Sequence, residues 1–135
     1  MSFEPASRDW SMIKVPTKAS TTYTAGMFIY NDGTDNVPTT TTTQVGSLGI
    51  AQEAKSSSST TTDIHVLVPN SVMSTFKADC TGTLTKAMEG DFFDFASGGT
   101  QVAQAASTYD TVQLVKFISS SKGIFRLLPT YGVEN

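Results

Sequence analysis

Cysteine and histidine are nearly absent: Cys80 and His65 are the sole examples in 135 residues. One thiol makes no internal disulfide, and one Cys with one His falls short of the four ligands of a closed zinc site. Cys80 therefore reads as a small buried or half-buried residue, and the count fits a reducing compartment or a fold indifferent to redox. Charge is scarce too, at 16% of residues against about 25% in an ordinary soluble domain. The net charge is −3, and the nine basic residues, from Arg8 to Arg126, form no stripe. A phosphate backbone needs such a stripe, so nucleic acid is not an expected partner. No apolar run approaches the roughly 20 residues of a membrane span, so no membrane partner is expected. Met1 to Trp10 has neither a basic n-region nor an apolar h-region, so export by a signal is not expected and synthesis is placed in the cytoplasm. Phosphate-cradling glycine loops and a Gly-x-Ser-x-Gly nucleophile motif are missing as well. No amphipathic helix of three turns can be written anywhere.

In place of charge the chain carries serine and threonine, together roughly a quarter of it, far above the usual share. Threonine is β-branched and favours strands and turns over helix interiors. The length fits one domain of about 100–150 residues. Strand patterns recur at short spacing. Trp10 to Val15 ends at Pro16, and Gly26 to Tyr30 ends at the hairpin signal Asn31-Asp32-Gly33. Leu48 to Ala51 suits a buried strand with a close backbone approach at Gly49. Asp63 to Val68 closes at Pro69-Asn70, and Asp91 to Phe95 closes at Ser97-Gly98-Gly99. Val72–Lys77 and Thr81–Lys86 are weaker strand candidates. Gln101 to Ala106 fits a helical turn or a strand. Thr111 to Ile118 and Ile124 to Leu128 make a final hairpin. Thr39–Thr43 reads as an edge strand or extended loop, and Lys55–Thr62 as a low-complexity loop. Residues 17–30 and 85–95 share a weak repeat: Thr-Lys-Ala, a bend at glycine, then an aromatic strand. The expected fold is all-β, a compact sandwich or barrel-like domain of short antiparallel strands at residues 15–135. Residues 1–14 are expected to form an extended N-terminal arm not packed on its own domain.

Little of this pattern points to chemistry, and no catalytic, metal or cofactor residue is expected. His65 shares a strand face with Asp63, but nothing supplies a nucleophile. Glu89, Asp91 and Asp94 crowd around Gly90. A carboxylate pair can serve a hydrolase, yet turn chemistry explains them as well. Asn31 to Asn36 resembles a calcium loop without its closing glutamate. The aromatic residues are more suggestive. Phe92, Phe93 and Phe95 set rings on both faces of one strand, so either both faces are covered or one meets another subunit. Trp10 reads as a core lid or a partner contact.

The order of segments also resembles a known family. An arm leads to Ala25-Gly26-Met27-Phe28-Ile29-Tyr30-Asn31-Asp32-Gly33. Gly46 to Ala54 and the strand Asp63 to Val68 follow, then a second Gly90-Asp91-Phe92-Phe93 module and a closing hairpin. Over about residues 15–128 this is similar to the small capsid decoration, or cement, proteins of tailed bacteriophages. Met27 stands where that family has an acidic residue. The resemblance implies a homotrimer without cofactors, seated on the capsid exterior of the virion and bridging major capsid protein subunits to stabilise the head. On that reading Phe3, Arg8, Trp10 and Met12 of the arm are the protein-binding residues. The competing expectation is a receptor- or carbohydrate-binding module of a head fibre or tail, with Trp10, Tyr23 and Tyr30 stacking on sugar.

Overall fold

The computed structural model describes residues 3–40, 47–55, 62–71, 73–96, 98–105 and 110–128. They form eleven strands and one short 3₁₀ turn, Lys86–Met88, with no α-helix among the described residues. The strands are β1 (Phe3–Pro5), β2 (Trp10–Pro16), β3 (Phe28–Asn31), β4 (Asn36–Pro38), β5 (Ser47–Ala51) and β6 (Asp63–Pro69). The second half adds β7 (Thr75–Thr81), β8 (Phe92–Phe95), β9 (Val102–Ala103), β10 (Val112–Ser119) and β11 (Lys122–Leu127). The expected all-β domain is the observed one.

Two sheets share the work. One runs β1-β7-β11-β10-β8-β9, and a further parallel pairing of β9 with β7 closes its last five strands into a barrel. In β7 the buried residues are Phe76, Ala78 and Cys80, and in β11 Gly123, Phe125 and Leu127. This alternation is what a pleated strand with one wet face requires. Aromatic rings fill the interior. Phe3 meets Phe28, Phe76 and Phe95 with ring centroids at 5.2, 5.7 and 5.8 Å, and Phe76 stacks on Phe125 at 6.1 Å.

The second sheet runs β2-β6-β5-β3-β4, antiparallel throughout. One face sends Phe28 and Ile50 into the barrel's core. The other builds a smaller cluster from Tyr23, Met27, Ile29, Ala51, Ile64 and Val66. Tyr23 anchors that cluster, its hydroxyl donating to the Asn36 carbonyl and accepting from the Lys18 amide at 2.9 Å. Gly49 makes the close approach expected of it: a Cβ there would lie 1.9 Å from the Leu67 carbonyl oxygen. The two aromatic modules also share a geometry. Gly26 and Gly90 both take positive φ, 86° and 96°, two residues before β3 and β8.

The structure corrects several expectations. Residues 3–14 are extended but not detached, and the boundary expected after residue 14 falls inside β2. β1 pairs with β7, setting Phe3 opposite Ala78, and β2 pairs with β6 along seven residues. An apolar β-former at position 3 gains more from the barrel core than from solvent. Of the two weaker candidates, Val72–Lys77 supplies Thr75 to Lys77 of β7, and Thr81–Lys86 supplies only the last residue of that strand. Ala78 to Cys80 continue the strand between the two candidates, with the Asp79 side chain on the wet face, paired with Lys122 at 3.4 Å. Gly82 to Thr85 is irregular and Lys86–Met88 is the 3₁₀ turn, not strand. Gln101 to Ala106 contributes β9. Thr41–Thr43, Ser56–Thr61 and Ala106 lie outside the described residues.

Candidate interaction surface

The expected binding residues separate on folding. Phe3 is fully buried, so no partner reaches it. Trp10 is half-buried: its indole N–H donates to the Thr75 carbonyl at 3.1 Å and its ring sits edge-on to Phe76 at 6.3 Å. It is a lid on the barrel's core. Arg8 is exposed, and Met12 is 54% exposed. The bend between β1 and β2 is tied down. Ser7 donates to the Asp9 carboxylate, Ser71 donates to its other oxygen at 3.0 Å, and Ser74 donates to the Asp9 carbonyl at 2.8 Å. The Thr75 amide donates to Ser7 Oγ at 3.0 Å. Hydroxyls of Ser7, then Ser74 and Ser71, hold the Asp9 carboxyl below the usual range against the opposing effect of burial.

The large exposed apolar side chains are Met12, Ile13, Met73, Phe92, Val115 and Ile118. Four of them were not singled out as contacts from sequence, because local alternation does not reveal an interrupted register. β10 pairs Leu114 with Phe125 but Lys116 with Ile124, and Phe117 with Gly123 but Ser119 with Lys122. Each step leaves one extra residue on β10, Val115 and then Ile118. These are β-bulges, which re-aim side chains and recur where strands serve a function. Both bulged residues are apolar and 44% exposed. The Glu89 carboxylate accepts the Phe117 amide at 2.9 Å, bracing the strand between the two bulges.

The acidic groups are held as structure. Glu89 lies below its ordinary range, first through the Phe117 N–H and then through Lys86. A general acid needs the opposite shift. Asp94 is buried and accepts the Asp110 amide at 2.8 Å. The Asp32 carboxylate accepts the Asp35 and Thr34 amides at 2.8 and 2.9 Å, the turn chemistry expected there. His65 faces the Glu53 carboxylate at 3.3 Å at the surface. Among the described residues, no group of three or more His, Cys, Asp or Glu is placed to hold a metal. Burial pushes the Cys80 thiol up to about 12, with Asp79 adding to it, so it is not a nucleophile.

β8 resolves the question of its two faces. Phe93 and Phe95 point into the barrel, while Phe92 is 42% exposed on the outer face. Beside it lies a cleft of about 410 Å³ lined by Asp91, Gln104 and Asp110 among others. Tyr23, one of the expected sugar-stacking residues, is buried. No family model matches the chain, and no curated protein matches it either.

Proposed function

We propose that this chain is a structural virion protein that binds the outer surface of a capsid and bridges neighbouring major capsid protein subunits. The order of segments that resembles phage decoration proteins suggests the partner. The observation that carries the binding role is the pair of bulges in β10. Two interruptions, three residues apart, each fall at an apolar side chain that stands 44% exposed. Fully covering a Val or Ile side chain contributes about 1.5–3 kcal/mol. Such contacts are weak singly and strong when an oligomer, the implied homotrimer, repeats them over a symmetric shell.

Co-sedimentation with emptied, expanded capsids of the source virus tests the proposal. Saturable binding at a fixed ratio to the capsid protein is expected, with affinity lowered at least tenfold in the Val115→Asp, Ile118→Asp double variant. Absence of binding, with the protein found instead on a tail or fibre, overturns it. The Phe92 cleft favours the second reading, a carbohydrate-binding module, because an exposed ring beside carboxylates and an amide suits sugar stacking. Glycan-array binding lost in Phe92→Ala would select that reading.

A further inference from the structure

β2 is an open edge. Seven consecutive residues pair with β6 without a register break, and no described strand pairs with its other side. The hydrogen-bond parity of this ladder is fixed by its two ends. The Thr17 amide donates to the Thr62 carbonyl at 2.7 Å, and the Asn70 amide donates to the Asp9 carbonyl at 2.9 Å. Odd-numbered residues of β2 therefore bond to β6, and the N–H and C=O groups of Trp10, Met12 and Lys14 face outward. Pro16 ends the strand: it has no N–H, and its carbonyl accepts the Asn36 side-chain amide at 2.8 Å, so the open part of the edge is Trp10 to Lys14.

Natural proteins guard such edges with charge, proline, bulges or short length. The other strands that end a sheet are guarded: β1 and β4 are three residues long and end in Pro5 and Pro38, and the barrel closes on itself. β2 is seven residues long, with one charge, Lys14, next to its central Ile13 and a proline only at its end. Its exposed apolar residues also extend buried rows of the sheet. Phe28, Ile50, Leu67 and Met12 are cross-strand neighbours in series, as are Ala51, Val66 and Ile13. Both rows run to the open edge, where Met12 is 54% and Ile13 38% exposed. A further strand would continue both.

We infer that β2 pairs antiparallel with β2 of a second copy of this chain, joining two five-stranded sheets across a two-fold axis at Ile13. The edge is self-complementary, and charge together with the exposed Ile13 selects this register. Centred on Ile13, the two isoleucines lie directly opposite at the close, non-hydrogen-bonded spacing, and each Met12 exchanges backbone bonds with Lys14 of the other copy. Ser11 then faces Val15. Centring on Lys14 would instead place like charges directly opposite one another. Centring on Met12 would separate the two isoleucines and set each against Ser11. The contact is two-fold, so it is distinct from a trimer contact, and it stands or falls without any capsid.

The test is the mass of the purified full chain by sedimentation velocity over a wide concentration range, for wild type, Met12→Pro and Met12→Thr. Proline at 12 removes an outward N–H and leaves the β2–β6 ladder its bonds. Wild type is expected to associate in pairs, Met12→Thr to follow it, and Met12→Pro to dissociate roughly tenfold or more readily. In wild type, the Met12 and Lys14 amides should exchange with deuterium more slowly as concentration rises. This second measurement holds even where Met12→Pro fails to fold. A wild-type chain that never pairs, a Met12→Pro chain that folds and pairs as wild type does, or exchange at Met12 and Lys14 independent of concentration, would each overturn the inference.

Discussion

The barrel and the open sheet solve the same problem in different ways. Each must satisfy backbone groups at its margins and cover an apolar face. The barrel does both internally: β9, only two residues long, pairs with β8 on one side and β7 on the other, and six phenylalanines from both sheets and β1 fill the shared core. The sheet covers one face with the barrel and the other with the small Tyr23 cluster, and leaves β2 unpaired at its rim. Closure thus concentrates stability in one part of the chain and leaves the capacity for new contacts in the other.

The largest effect that separates the two regions is in the core. Phe76→Ala should cost about 3–5 kcal/mol in urea unfolding, since four rings rest against Phe76. Ile64→Ala, in the smaller cluster, should fall near 2 kcal/mol, at the low end for such truncations, because its surroundings can relax toward the open strand. An equal or larger loss at Ile64 would break the comparison. Next comes Gly49→Ala, expected to cost about 1–3 kcal/mol as β5 and β6 are pushed apart by the new methyl at Leu67. Unchanged stability there would mean the sheet yields more easily than its register implies.

Asp9 joins the two regions, since β1 belongs to the barrel's sheet and β2 to the open one. Asp9→Ala should cost about 1–2 kcal/mol, the loss of hydrogen bonds at a partly exposed carboxylate. The folded-state pKa is depressed, so the carboxylate's contribution is complete above the unfolded value of about 3.9 and is lost as pH falls through the folded value. The difference between wild type and Asp9→Ala in thermal unfolding should therefore shrink below about pH 4. A difference that grows on acidification would refute the assignment. The smallest effect is at Cys80. Iodoacetamide at mildly alkaline pH should leave the folded chain unlabelled and react on unfolding, because a thiol near 12 is not ionised there. Rapid labelling of folded protein would show that the barrel opens at β7.

Much of the strand content was legible because alternation and turn chemistry are local. β3, β5, β6, β8, β10 and β11 fall where period-two patterns and the flanking Gly, Asn and Pro residues put them. Gly49 was legible for the same reason: small residues in an apolar run mark a close backbone approach. β7 was legible only in its first half, Thr75 to Lys77, because the pattern beyond Lys77 is broken by small and polar residues that find their place only through pairing with β11. The surface was read least well. Phe3 and Trp10 look alike from sequence as large rings in a polar segment, yet the first is core and the second a lid.

Composition and the two-residue period of the backbone were enough to show a chain of short strands with almost no catalytic vocabulary. Which strands close into a barrel, that residues 3–14 pair within the chain, and that Val115, Ile118, Met12 and Ile13 face solvent became visible only in the folded chain. Each of these depends on register between segments far apart in the chain, and register is set by what the partner strand offers, which no local pattern contains.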